Sequence, residues 1–251
     1  MVNPFSLEGK TILVTGASSG LGKGIAIQCS NMGARVVLNG RNEERLRETL
    51  SLMQGDNHVV ITADIATQEG LDTLLAEIPE IDGYVNSAGI TSMTPLKNIN
   101  REHMATLFNV NAVAPITLTA LLVKKKKLNK QSSVVLIGSI NGCNIGNAGS
   151  SAYAASKGAI LGYVKAASLE LASRGTRVNC ISPGSVPTNM LKSEARVCSF
   201  DELVEQMIQF YPLQRLGKEE DIANAAIYLL SDASCWVTGQ NFVIDGGYTA
   251  S

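Results

Sequence analysis

Residues 10–42, KTILVTGASSGLGKGIAIQCSNMGARVVLNGRN, decide the fold. KTILVTG (10–16) is a β-branched run closed by a glycine loop, and GLGKGIAIQCSNMG (20–33) carries apolar residues at helical spacing. ARVVLNGRN (34–42) is a second β-branched run, so the stretch predicts strand, glycine turn, helix and strand. In TGASSGLG, Gly16 permits a tight turn. Gly20 and Gly22 let backbone amides at a helix N-terminus approach a pyrophosphate, with Ser18, Ser19 and Leu21 in the same loop. The glycines are separated by three residues and then by one, unlike the GxGxxG of the common dinucleotide fingerprint.

The end of the second strand selects between dinucleotides. A carboxylate there would accept hydrogen bonds from the adenosine ribose of NAD and repel a 2′-phosphate. This chain offers Asn39, Gly40 and Arg41, with Ser18 and Ser19 nearby, a balance that favours NADP(H). The alternative is that Arg41 only caps a surface turn.

Beyond this unit the pattern repeats. HVVITADI (58–65) is a third strand whose terminal Asp64, followed by Ile65, is placed to accept a bond from an adenine amino group. DGYVNSAG (82–89) is a fourth, and its small-residue end at Asn86, Ala88 and Gly89 permits close backbone approach. Strands alternating with helices argue for βαβ units and a parallel sheet covered on both faces. SSVVLIGS (132–139), RVNCISPG (177–184) and NFVIDGG (241–247) supply the fifth to seventh strands. Pro183 and Gly184 end the sixth sharply, leaving Val186 and Thr188 over the nicotinamide end. Residues 186–216 are an irregular amphipathic stretch, read as a substrate lid, before the helix KEEDIANAAIYLLSD (218–232).

The chemistry sits in SINGCNIGNAGSSAYAASK (139–157). On a helix, Tyr153 and Lys157 are four residues apart and project from one face. A free phenol has a pKa of about 10, roughly three units too high for proton exchange near pH 7. That gap is about 4 kcal/mol, which one positive charge at about 4 Å supplies at an effective dielectric of about 20. Ser139, arriving from a separate strand, can point its hydroxyl at the same substrate oxygen, and the trio suits acid/base work on a carbonyl or carbinol. Asn111 lies mid-helix in a run read as 101–128, where asparagine costs propensity. Either its side-chain amide holds a water next to Lys157, or it is an ordinary polar group at a bend near Pro115.

Composition narrows the rest. The 251 residues are 45% hydrophobic and 17% charged, with a formal net charge of -1, which fits one soluble domain and recommends neither nucleic acid nor an anionic membrane as partner. Five cysteines (29, 143, 180, 198 and 235) show no paired spacing, and the histidines are only His58 and His103, so a metal site is not expected. MVNPFSLEGK has no signal-peptide core, giving a cytoplasmic expectation. NAVAPITLTALLV (111–123) is apolar but short for a membrane span. Lys124, Lys125, Lys126 and Lys127 follow it, either a solvated helix end or, with Arg174, a docking spot for an acidic partner.

With these pieces in order, the chain resembles the short-chain dehydrogenase/reductase family along essentially its whole length. The resemblance rests on TGASSGLG, Asp64, NSAG (86–89), Asn111, Ser139, YAASK (153–157), PGSVPT (183–188) and VIDGG (243–247). It implies a single Rossmann-type α/β domain spanning residues 1–251, with seven parallel strands in the order 3-2-1-4-5-6-7. It also implies an NAD(P)-dependent oxidoreductase, commonly a homotetramer built partly on the helices near 101–128 and 151–174. Carried over by residue, Tyr153 protonates the carbonyl oxygen, Lys157 lowers the Tyr153 pKa and bonds the nicotinamide ribose, Ser139 polarises the substrate oxygen and Asn111 supports a relay water. Two departures stand out: Ser87 replaces a more usual asparagine, and the Ser139–Tyr153 interval is one residue longer than is usual, so its loop must bulge. The C-terminal half looks most like 3-oxoacyl-acyl-carrier-protein reductases, which take an acidic carrier on a basic patch. Reductases of sugars, polyols, steroids or small ketones, and a non-catalytic NADP(H)-binding sensor or scaffold, are the alternatives.

Overall fold

The computed structural model describes residues 3–192 and 199–250. The elements run β1 (Thr11–Thr15), α1 (Gly20–Asn31), β2 (Arg35–Gly40), α2 (Glu43–Leu50), β3 (Val59–Thr62), α3 (Gln68–Glu77) and β4 (Ile81–Asn86). They continue α4 (Arg101–Phe108), a π-helical segment (Asn109–Val113), α5 (Ala114–Lys124), β5 (Leu128–Ile137), α6 (Ser151–Leu171) and β6 (Arg177–Pro183). The chain closes with α7 (Asn189–Lys192), α8 (Phe200–Ile208), α9 (Glu219–Leu230) and β7 (Asn241–Ile244). The strands form one parallel sheet in the order β3-β2-β1-β4-β5-β6-β7, as expected.

Strand periodicity divides the core. Leu13, Val37, Val134 and Leu136 face α3, α5 and α6, whereas Ile12, Val14, Val36, Leu38 and Val135 face α1 and α9. Because both faces are covered, the strands read as continuous apolar runs. The chain leaves β1 toward β2 and β3, then returns to place β4 on the other side of β1. This reversal opens a crevice beyond the carboxyl ends of the strands.

Two boundaries differ from expectation. The helix read as 101–128 stops at Lys124, and Leu128 already belongs to β5, paired with Ile81. The polar run Asn129–Ser132 concealed this first part of the strand, which reaches past the apolar core; there Asn129 Nδ2 donates to Asp82 Oδ1 at 2.8 Å. The second difference is the π turn. Pro115 has no N–H to give to the carbonyl of Asn111, four residues back, and the helix passes this point with the Ala114 N–H bonded to the Asn109 carbonyl, one residue wider than an α turn.

Taken together, Arg101–Lys124 forms one continuous helical run that is long and apolar enough to cross a membrane, longer than the stretch 111–123 alone suggested. Leu107, Ala112, Ala114, Leu118 and Leu122 are buried in the fold, so it is packed as a core helix. Part of the proposed lid, residues 193–198 including Cys198, lies outside the described residues.

Candidate functional site

A cavity of about 580 Å³ occupies the crevice, within the usual range for small-molecule sites. Its floor is the glycine turn. Gly16 has φ 69°, and a Cβ there would stand 2.8 Å from the Ala88 nitrogen, so glycine is needed for both conformation and approach. The Ser19 side chain makes no capping bond to α1, and the first-turn amides of this helix open on Ser18, Ser19, Gly20 and Leu21, all in the crevice wall. Uncapped amides at the positive end of a helix suit a pyrophosphate, so the residues present fit a dinucleotide. Thr188 brings its methyl to 3.2 Å from the Cβ position of Gly20. Gly22 does something else than expected: it is buried, lies outside the wall, and a Cβ there would run into the Gly16 carbonyl oxygen. Its smallness packs the turn against the helix.

At the β2 end the wall comprises Asn39, Gly40, Arg41, Asp64 and Ile65. Asn39 is 1% exposed, and its Nδ2 donates to the carbonyls of Ile61 (3.1 Å) and Ala63 (3.2 Å). Its amide donors therefore tie β2 to the end of β3, while the residue itself lines the crevice. Arg41 is exposed and its guanidinium lies 3.8 Å from Asp64 Oδ2, while Asp64 Oδ1 accepts from the Ala66 N–H at 3.0 Å. Asn86 is also structural: its Oδ1 accepts from Thr15 Oγ1 (2.9 Å) and Tyr84 OH (3.1 Å), and its Nδ2 donates to the Ala88 carbonyl. It shapes the turn from behind, and Ser87, Ala88 and Gly89 form the wall instead.

Across the crevice, Ser139, Tyr153 and Lys157 line one cavity together with Pro183, Gly184 and Val186. Ser139 follows β5 through Gly138, where a Cβ would meet Cys180 Sγ at 2.7 Å. Its Oγ accepts from the Asn141 N–H at 3.1 Å, so the hydroxyl proton is left to donate. Lys157 is 6% exposed, and Nζ donates to the Ile137 carbonyl at 2.8 Å. Burial pushes its pKa down to about 8. The ammonium is therefore still mostly charged at pH 7.

Asn111 requires a correction. Its Oδ1 accepts from the Ile90 N–H (2.8 Å), and its Nδ2 donates to the Ile90 carbonyl (2.9 Å) and Ser156 Oγ (3.0 Å). The side-chain amide thus has no donor left for a water and lies outside the crevice wall. It clamps the loop after β4 to α6, and Ser156 Oγ donates onward to the Tyr153 carbonyl. A Cβ on Gly89 would stand 3.3 Å from Asn111 Oδ1 and 3.4 Å from Lys157 Nζ, so the clamp and the cation share one neighbour.

The long interval after Ser139 is absorbed as a tight turn. The Ile140 carbonyl receives the N–H groups of Asn144 (3.0 Å) and Ile145 (3.1 Å), and Gly142, at φ 93°, passes beneath the Ala154 carbonyl where no Cβ would fit. Sequence reasoning missed Tyr211 and Tyr248, whose tilted rings meet with centroids 5.0 Å apart and line the cavity; Tyr211 OH accepts from the Ser185 N–H at 2.9 Å. Neither lies in a periodic run that would have singled it out.

A family model described as enoyl-(acyl carrier protein) reductase matches residues 16–249. The solved structure of a short chain dehydrogenase family protein from Francisella tularensis subsp. tularensis SCHU S4 matches 96% of this chain and 99% of its own, at 31% identity and a TM-score of 0.86. The chain belongs to the short-chain dehydrogenase/reductase family. Among its relatives in that family, the 3-oxoacyl-[acyl-carrier-protein] reductase FabG of Rickettsia felis is 34% identical over 244 residues, 96% of this chain and 97% of the relative. A candidate 2-deoxy-d-gluconate 3-dehydrogenase from Agrobacterium tumefaciens, solved with bound NADP, is 32% identical over the full length of both chains, with a TM-score of 0.88. As a short-chain dehydrogenase/reductase, the chain is an oxidoreductase.

The basic run stands away from this dehydrogenase crevice. Lys124 ends α5, and Arg174 follows α6, both at the end of the sheet opposite the strand carboxyl ends. The ten residues of β5 separate that end from Ser139, roughly 33 Å of strand. Lys127 Nζ donates to the Ile78 carbonyl (2.6 Å) and Arg174 to the Leu128 carbonyl (2.8 Å). Only Lys124, Lys125 and Lys126 remain exposed, so the expected patch is smaller and does not adjoin the crevice of its own protomer.

Proposed function

We propose that this protein transfers a hydride between NADP(H) and a ketone or secondary alcohol, and that its reaction is the reduction of a 3-oxoacyl thioester. The observation that carries this is the convergence of Ser139, Tyr153 and a buried Lys157 on a cavity floored by an uncapped helix N-terminus. The glycine turn and the α1 amides would hold the pyrophosphate. When bound, the nicotinamide supplies the hydride. Ser139, its oxygen already accepting from Asn141, donates to the substrate carbonyl; Tyr153 delivers the proton; Lys157 holds the charge that makes that proton mobile. Asn111 positions the tyrosine's helix, and its main-chain carbonyl, deprived by Pro115 of the usual α-helical donor, is the better candidate than its amide to support a relay water.

Tyr153→Phe tests the reaction. We expect turnover to fall by about 10²–10⁴, the usual worth of a positioned proton donor, with NADPH affinity within about twofold of the parent. Equal loss of both would make the tyrosine structural, full turnover in the variant would remove Tyr153 from the reaction, and NADPH binding without any turnover in the parent would leave a binding protein of the sensor kind.

NADP(H) preference rests on Arg41 and on the lack of a carboxylate at the end of β2. Arg41→Ala should weaken NADPH binding about tenfold and NADH binding little, as read by fluorescence titration. An NADH preference in the parent protein would overturn it. A homotetramer, an acidic carrier partner, a lid over 186–216 and a cytoplasmic setting belong to the same proposal. Exposed Val113 (50%) and Leu169 (79%) mark the faces on which the long helices would pair. If they pair antiparallel about a twofold axis, Lys124 to Lys126 of one protomer would stand near the crevice of the other, where a carrier could dock.

A further inference from the structure

The two ends of the cavity differ in chemistry. Among the described residues its charged lining consists of Arg41 and Asp64 at the β2 end and Lys157 at the centre. Past Ser139 and Tyr153 the wall is mostly apolar, with Met93, Ile145, Met190, Leu191, Met207 and Phe210, and its polar members, Asn141, Asn147 and Ser150, are uncharged. Met93 (42%), Met190 (38%) and Phe210 (66%) are exposed apolar side chains of this wall.

Helix α8 adds an independent observation. Its apolar residues Phe200, Leu203, Val204, Met207 and Ile208 fall at i, i+3, i+4, i+7 and i+8, while Asp201, Glu202, Glu205 and Gln206 take the other face. Such a stripe ordinarily rests on a core. Here the stripe is only half-buried throughout, although the helix is well begun, with Ser199 and Glu202 forming a reciprocal capping box, and well anchored after its end by buried Tyr211. The stripe reaches the cavity through Met207, and Phe210 continues it there.

We propose that the substrate ketone carries an extended apolar arm, received between α8 and the Met93–Ile145 side, and that Met93, Met207 and Phe210 set the preferred arm length. A polyol or sugar acid has no such arm, and the far wall gives it no charged partner among the described residues. The proposal rests on Ser139, Tyr153 and Lys157 being the reacting groups, because they fix where the carbonyl sits and hence where the arm begins. The arm supplies the missing side of the α8 core.

The test is a series of 3-oxoacyl pantetheine thioesters of four, six, eight and ten acyl carbons, compared with polyhydroxylated ketones and sugar acids in the presence of NADP(H). Each buried methylene is worth roughly two- to fourfold, so kcat/KM should rise at least tenfold from four carbons to eight. Phe210→Ser and Met93→Ser should each flatten that gradient. Calorimetric binding of unreactive saturated acyl pantetheines to the NADPH-loaded parent protein should show the same gradient, and it needs neither turnover nor a variant that folds. A flat or falling series in both measurements, or a sugar acid or polyol handled better than the eight-carbon ketone, overturns the apolar arm. If the four-carbon substrate is reduced but the series is flat, only this inference fails. If no ketone is reduced, the proposed reaction fails, and the saturated series still reports whether the wall takes an apolar arm.

Discussion

Lys157 carries the pH behaviour of the site. Its pKa falls from 10.5 to about 8 because burial disfavours the ammonium. The folded state holds this proton less tightly than the unfolded chain, so below about pH 8 the buried charge costs stability. That cost shrinks as pH rises from about 8 and is gone above 10.5. The shift corresponds to about 3 kcal/mol, part of which the bond to the Ile137 carbonyl offsets. Lys157→Met should therefore abolish reduction yet raise stability by about 1–2 kcal/mol at pH 7, with the gain vanishing toward pH 10.5 in urea titrations. In the parent enzyme, reduction should fall as pH passes about 8, where the ammonium discharges; a rate that keeps rising to pH 10 would remove Lys157 from the mechanism. That Ser139, Tyr153 and Lys157 would share one cavity was legible in the sequence, because the proposed chemistry calls for those types at those places. Asn39, Asn86 and Asn111 were not, since an amide's task depends on which carbonyls the fold brings to it. Asn86 and Asn111 brace the crevice from behind, and Asn39 ties β2 to β3 from within its wall.

At the level of elements, strands and most helices followed from apolar period, and the glycine turn from its position between them. What escaped was governed by backbone contacts that no pattern encodes: the π turn at Pro115, the polar start of β5, and the fit of Gly22 against Gly16. Gly22→Ala would drive a methyl into the Gly16 carbonyl and displace the start of α1. We expect a loss of about 1–3 kcal/mol in chemical denaturation, with NADPH affinity reduced at least tenfold. An alanine tolerated without loss of either would mean that the turn and helix are not held at this point.

For the whole molecule, the sheet order and the placing of the crevice follow from the alternation of strands and helices together with the family pattern; the assembly does not follow from them. A Cβ at Gly162, on the exposed side of α6, meets nothing within 4 Å, so a single protomer has room for a large side chain there. Gly162→Leu should leave the protomer folded but, if α6 pairs with a second copy in the proposed tetramer, shift the sedimenting species to a smaller form. An unchanged mass would move the interface elsewhere. Charge reversal at Lys124 to Lys126 should weaken the use of carrier-bound substrate and spare the pantetheine thioester; equal effects on both would dismiss a docking role.

The seven-stranded scaffold closes its own core without α8, whose apolar residues contribute no buried side chain to it. Mutations accumulating in that helix would change which molecules are admitted while scarcely touching foldability. Such a separation leaves one part of the gene free to drift under selection for new metabolites, and gives directed evolution a short segment in which to begin.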